Sequence, residues 1–255
     1  MVRREIQRLE QAAANALPPA LLQLDEGWRL RADAGGTQRA NSVLAEHSLG
    51  DTPLDEKIVR AEAFYTQLGQ MARFQLGPAS YPPGLDGRLA ARGYSYRSGA
   101  LVQRAPLTEV LARVVKQGIP DATIETRVLP DWLSLYAQAT GVKGDVLEAK
   151  RTLFGRIPTR AAFVTVRLAG IPAAVGLGVL ERSQLGLFNM VTQPSLRRRG
   201  AARALVHALA VWGARTDASL MYLQVAQENR AARSLYAQLG FKTLYAYHYR
   251  EAPYV

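Results

Sequence analysis

A mixed α/β fold built as two tandem units is the expectation for this 255-residue chain, and three observations carry it. The stretch Leu187 to Arg215 reads as an apolar strand, a polar turn and a long amphipathic helix, with Leu205, Leu209 and Trp212 recurring at helical spacing. From residue 121 onward the periodicities follow the order strand, two helices, three antiparallel strands, helix, strand, helix and a closing hairpin. Elements in the N-terminal half repeat part of that order: Asn41-x-Val43 stands 32 residues before Gln75, and Asn189-x-Val191 stands 33 before Gln224.

Glu5 to Leu17 reads as a helix with Ile6, Leu9 and Ala13 on one face, stopped at Pro18-Pro19. Trp28 to Arg31 alternates as a strand, and Gly35-Gly36 supplies turn chemistry. Arg39 to Val43 is expected as a strand, and Leu54 to Leu68 as a helix burying Ile58, Ala61, Phe64 and Tyr65. Arg73 to Leu76, helix Leu85 to Arg92 and strand Ala100 to Arg104 complete the first half. Leu107 to Gln117 is expected as a connecting helix ended near Gly118-Ile119-Pro120. In the second half Thr123 to Val128 is a strand, and Pro130 to Ala139 is a helix with proline at its start. Asp145 to Phe154 is a second helix. Ala161 to Leu168, Ile171 to Leu180 and Leu185 to Val191 are strands with Gly170-Ile171-Pro172 and Arg182-Ser183 as turns. Leu220 to Val225, Ala231 to Leu239 and Leu244 to Arg250 close the chain. The segmentation is 1–105, a linker 106–120, and 121–255.

Composition narrows the function classes. Cysteine is absent, which removes disulfides, thiolate metal sites and a cysteine nucleophile. Three scattered histidines, His47, His207 and His248, offer no metal-ligand spacing. No run approaches the length of a membrane span and the N-terminus is strongly charged, so a cytoplasmic protein is expected. The net charge of +11 divides unevenly, +2 over residues 1–105 and +9 over 106–255. The excess accompanies the turn Arg197-Arg198-Arg199-Gly200-Ala201-Ala202. There small residues open a helix N-terminus whose free N–H groups and dipole favour an anion such as a pyrophosphate. No aromatic-basic or zinc-finger pattern accompanies the charge, which argues against a nucleic-acid partner.

That turn, R-x-x-G-x-A after a strand, is followed by strand Leu220 to Val225 and by NRAARSLYAQLGF from Asn229 to Phe241. The ordered set resembles the GNAT superfamily of N-acetyltransferases over about residues 121 to 250. The first copy carries AEHSLGDTPLDEK where the second has the arginine-glycine turn, so it is expected to be a degenerate partner that holds no cofactor. If both copies share the fold, strand Arg73 to Leu76 should neighbour Ala100 to Arg104, as Met221 to Val225 should neighbour Leu244 to Arg250.

The resemblance implies an acetyl-CoA-dependent transfer to an amine, with acetyl-CoA as cosubstrate and no metal. It places Met190, Val191 and Thr192 along the pantetheine and thioester through their backbone, and Arg197, Arg198, Arg199, Gly200, Ala201, Ala202 and Arg203 around the phosphates. Asn229 is implied near the cofactor and is also a natural helix N-cap. Tyr236 is implied as the general acid for the departing thiolate by its place in NRAARSLY, and packing in the core is the alternative. Relatives take a glutamate base from the strand before the phosphate turn, but Gln184 to Val191 holds no carboxylate. Glu181 is the nearest acidic residue and the base stays unassigned. The paired arrangement also resembles mycothiol synthases, which favours a small-molecule primary amine as acceptor over a protein N-terminus or lysine. A non-catalytic acyl-CoA sensor and a nucleic-acid-binding module are the readings from other classes. The oligomeric state is not legible.

Overall fold

The computed structural model describes residues 2–34, 37–47, 49–114, 120–157 and 160–253. The Gly35-Gly36 turn, residues 115–117 of the connecting helix and Gly118-Ile119 lie outside them. Two compact units are present, Met1–Leu101 with Tyr245–Val255, and Val102–Leu244. These boundaries follow spatial contact and differ from the segmentation 1–105, 106–120 and 121–255, because two long strands each run from one unit into the other.

The first unit holds α1 (Val2–Ala16), β1 (Leu21–Asp25), β2 (Trp28–Ala32), β3 (Ser42–Ala45), α2 (Leu54–Gln67), β4 (Arg73–Leu76) and α3 (Leu85–Ala91). It also takes the start of β5 (Ser95–Pro106) and most of the last strand, β11 (Lys242–Glu251). Ile6, Leu9 and Ala13 are buried on one face of α1, as their spacing requires. Trp28, Leu30, Val43, Ile58, Phe64, Tyr65, Phe74 and Leu89 form the core. Trp28 and Phe74 meet edge to face at 5.6 Å, and the Trp28 indole donates to the Tyr81 carbonyl at 3.0 Å, so the ring is buried without an orphan donor.

The second unit holds the rest of β5, then α4 (Leu107–Val114), β6 (Ala122–Glu125), α5 (Pro130–Thr140), α6 (Gly144–Gly155), β7 (Ala161–Leu168), β8 (Ile171–Glu181) and β9 (Gln184–Thr192). After β9 come α7 (Ala201–Arg215), β10 (Leu220–Ala226) and α8 (Arg230–Gln238). Its strand order is β5-β10-β9-β8-β7-β6, with β9 and β10 parallel and β6 to β9 antiparallel. Gly176 and Gly178 lie on one face of β8, as the period of two dictates. A Cβ at either would come within 2.8 Å of Leu205 or Leu209, one turn apart on α7. The glycines thus let α7 lie directly on the sheet. Trp132, Tyr136, Phe154 and Phe163 pack α5 and α6 against β7 with ring centroids 5.2 to 6.2 Å apart.

Three expectations need correction, and one strand was missed. Gln38–Ala40 is a 3-10 turn and the strand begins at Ser42. Asn41 enforces this, because its amide accepts from the Asp33 N–H at 2.7 Å and donates to the Thr37 carbonyl at 3.1 Å, closing a turn in place of a ladder. β1 went unrecognised because LLQLD shows no alternation. Among the described residues it pairs with β2 alone, and Leu24 is 71% exposed. The expected closing hairpin is one strand, β11.

The third correction concerns partners. β4 neighbours β11, with Leu76 opposite His248 and Arg73 opposite Glu251, whereas β10 neighbours β5. The closing strands have therefore exchanged places relative to the expected pairs. Side chains hold β11 there: Arg250 donates to Asp86 of α3 at 2.7 Å, His248 lies 3.2 Å from the same carboxylate, and Arg73 pairs with Glu251. Gly99 on β5 permits the close approach of β11, since a Cβ would stand 2.0 Å from the Tyr247 carbonyl oxygen.

Candidate active site

The site forms where β9 leaves its neighbours. β9 and β10 are in register from Leu220↔Gln184 to Leu223↔Leu187, and the ladder stops there. On the other side Val175 faces Val191 and Leu177 faces Phe188, so Asn189 and Met190 together oppose Gly176. That is a β-bulge, and Asn189 takes the left-handed conformation it needs, at φ 49°. The bulge bends β9 away from β10 and leaves the β10-facing edge of Met190, Val191 and Thr192 without a strand partner. A chain-like ligand offering amide groups can add to such an edge. The Met190 side chain turns to the α7 side, over Gly176, so its backbone and not its thioether faces the opening.

Beyond Thr192 the chain makes a 3-10 turn, Pro194–Leu196, and enters α7 through Arg197, Arg198, Arg199 and Gly200. Arg198 at φ 65° and Gly200 at φ 89° are both left-handed. Gly200 is required for that conformation and not for space, because a Cβ there would meet nothing within 4 Å. The Gly200 carbonyl accepts from the Ala204 N–H, and among the described residues no side chain caps the helix. The N–H groups of Ala201, Ala202 and Arg203 consequently point outward with no intrahelical partner. Arg197, Arg198 and Arg199 are exposed and form no ion pair among the described residues. Arg203 is engaged elsewhere: its guanidinium donates to Gln238 at 2.7 Å, tying the first turn of α7 to the end of α8. The donor set and open space fit a polyanion such as a pyrophosphate.

Because β9 and β10 are parallel, their C-terminal ends lie at one edge of the sheet, so the turn before α7 and Asn229 before α8 share that edge. Asn229 caps α8, its side-chain oxygen accepting from the Ala232 N–H at 3.1 Å, which leaves the amide NH2 as a donor. Asn229→Ala should cost about 1 kcal/mol; urea unfolding with an unchanged midpoint would exclude the cap. Tyr236 is the buried residue of α8, 7% exposed, packed against Phe241 at 5.7 Å. Burial pushes its phenol up to about 12, so it carries its proton at every physiological pH. Its hydroxyl forms no hydrogen bond among the described residues, so the donor is uncommitted.

Glu181 is not brought to this edge. It pairs with Gln184 at the hairpin end of β8, whereas Ala174 pairs with Thr192 at the bulged end, seven residues or about 23 Å away. His207 is buried within α7, its basicity lowered by desolvation, and forms no hydrogen bond or ion pair among the described residues that would orient it for catalysis. Two features of the site escaped sequence reasoning. The bulge had a signal in the Asn189-Met190 pair, where asparagine tolerates positive φ. The contact of Gln193 with Gln138 of α5, at 3.2 Å, had none.

The family model described as "Probable histone acetyltransferase Rv0428c C-terminal" matches residues 4–250. The chain belongs to this family. It is an N-acetyltransferase of the GNAT superfamily. The N-acetyltransferase YobR of Bacillus subtilis strain 168, described as uncharacterized, is 29% identical over 246 residues, 96% of this chain and 98% of that one. Among solved structures, a GCN5-related N-acetyltransferase from Kribbella flavida has the same fold, with TM-score 0.69 and 15% identity over 97% of this chain and 95% of that chain. A tandem GNAT protein from the clavulanic acid biosynthesis pathway is also alike in fold, with TM-score 0.59 and 15% identity over 79% of this chain and 70% of that chain. Among the described residues no helix is long and apolar enough to cross a membrane, and no His/Asp/Glu group is placed to hold a metal.

Proposed function

We propose that the chain transfers the acetyl group of acetyl-CoA to the primary amine of a small molecule. The observation that carries this reading is the juxtaposition of the open β9 edge with the uncapped, arginine-flanked start of α7. The edge of Met190 to Thr192 receives the amide-bearing pantetheine arm, and the N–H groups of Ala201, Ala202 and Arg203 receive the pyrophosphate, with Arg197 to Arg199 as its counter-charge. Tyr236 donates to the departing thiolate, whose thiol has a pKa of about 8.5. A phenol that stays neutral to about 12 acts here as a hydrogen-bond donor, releasing its proton late if at all. With no carboxylate on β9 and Glu181 at the far end of β8, the amine reaches the thioester already neutral or loses its proton to water. Turnover should therefore rise with pH toward the acceptor's own pKa.

Residues 1–105 are read as a second, degenerate copy without a phosphate turn, in keeping with the fold likeness to a tandem GNAT protein. Calorimetry should then find one coenzyme A per chain. The family description favours a second reading, acetylation of a protein lysine. Thiol release from acetyl-CoA, followed across small amines, amino-sugars, histone-tail peptides and free peptide N-termini, separates the two. Turnover with small amines alone supports the first, and turnover with lysine peptides alone replaces it with the second. Tight coenzyme A binding without release for any acceptor would support a sensor.

A further inference from the structure

The first unit contains a second place where parallel strands part. β3 and β4 are in register only at Val43↔Phe74 and Leu44↔Gln75. Beyond that point lies a narrow cleft, open at its mouth and with room for about one water-sized group, between α1, the end of β3 and the residues after β4. Its lining includes Ile6, Gln7, Glu10, Glu46, Gln75 and Ala79, and no lysine or arginine is among the described lining residues. Two buried carboxylates therefore share one small space.

They are not equivalent. Glu10 is fully engaged: one oxygen accepts from the Tyr245 hydroxyl at 2.6 Å, the other from the Gln75 amide at 2.7 Å. Glu46 is 4% exposed, its carboxyl takes a hydrogen bond from the Gln11 side chain and its Oε2 lies 3.5 Å from Arg29 Nε, while its Oε1 is buried with no hydrogen-bond partner among the described residues. Arg31, the other buried cation nearby, spends its donors on Ser42 and Gln75. A buried carboxylate oxygen without a donor is costly, and native structures fill such positions with a ligand, an ion or water.

We propose that this cleft binds the ammonium group of a small primary amine, with Glu46 as its counter-ion. An ammonium brings three donors, and one directed at Glu46 Oε1 fills the vacant position. The ammonium head is about the size of a water and fills the cleft, and the alkyl chain of the amine leaves through its mouth. A quaternary ammonium has the charge but no N–H and does not satisfy Oε1. The groups facing Glu46 are Arg29 and Arg31 from β2 and Glu10, Gln7 and Gln11 from α1. Burial raises the Glu46 carboxyl to about 7, Arg29 opposes the rise and Glu10 adds to it. Only the ionised form takes a cation, so binding strengthens as pH rises through about 7, while a primary amine of pKa above about 10 stays charged throughout.

The test is titration of the full chain, without acetyl-CoA, by n-propylammonium chloride while backbone amide shifts of Ala45, Glu46 and His47 are followed by NMR. Saturating shifts are expected at pH 7.5, with affinity lower by about tenfold at pH 6, one pH unit below the Glu46 midpoint. Glu46→Gln keeps the shape, removes the charge and should abolish saturation while the protein stays folded. Tetramethylammonium should leave the amides unmoved. The proposal is overturned if wild type shows no saturating shift, if Glu46→Gln binds equally, or if tetramethylammonium binds as well as the primary amine. Since no acyl transfer is measured, its failure leaves the acetyl-CoA site of the other unit untouched.

Discussion

Gly200→Glu is expected to remove acetyl-CoA binding. Wild type saturated at about a hundred times its dissociation constant gains about 2.7 kcal/mol, which is about 5 to 10 °C in a chain of this size. The glutamate places a negative charge beside three free N–H groups, at the end of a run of three exposed arginines. It also forces a Cβ residue into φ 89°, a strain of about 1 to 2 kcal/mol. A control separates the two effects. Gly200→Asn tolerates the left-handed conformation and carries no charge, and the space around Gly200 is open, so it should retain most of the ligand-induced shift. Arg198→Ala should lie between the two. Differential scanning fluorimetry with and without acetyl-CoA reads all four proteins, and equal shifts in wild type and Gly200→Glu would move the cofactor away from this turn.

Tyr236→Phe is expected to lower the rate constant by roughly 10²- to 10⁴-fold with coenzyme A affinity intact. The ring keeps its packing on Phe241, and the hydroxyl lost has no protein partner among the described residues, so stability should change by less than about 0.5 kcal/mol. The pH dependence carries a sign. A phenol raised by burial is neutral below about 12, so wild-type turnover should not fall between pH 8 and 10 from loss of this acid. A variant with wild-type turnover toward a good amine would make Tyr236 a packing residue only.

Much of the turn before α7 was legible because its chemistry is local. Gly200 before Ala201 and Ala202, an apolar strand before and helical spacing after, specify a strand, a turn and an open helix start within a few residues. Most strand and helix positions followed in the same way, since burial on one face writes a period of two or 3.6 into the sequence. Asn229 could be read as a cap for the same reason. The cysteine-free composition and the basic C-terminal half needed no structure at all.

Pairing is another matter. Nothing in the period of β5 or β11 states which strand lies beside it, so the exchange that puts β11 against β4 and β5 against β10 belongs to the tertiary structure. It is decided by contacts between residues far apart in sequence, such as Arg250 with Asp86 and Gly99 with Tyr247. The bulge at Asn189-Met190 likewise exists only opposite Gly176, and it is the bulge that parts β9 from β10. Burial of Tyr236, and of the Glu46 oxygen without a donor, depends on what surrounds each side chain in space, which the order of residues along the chain does not contain.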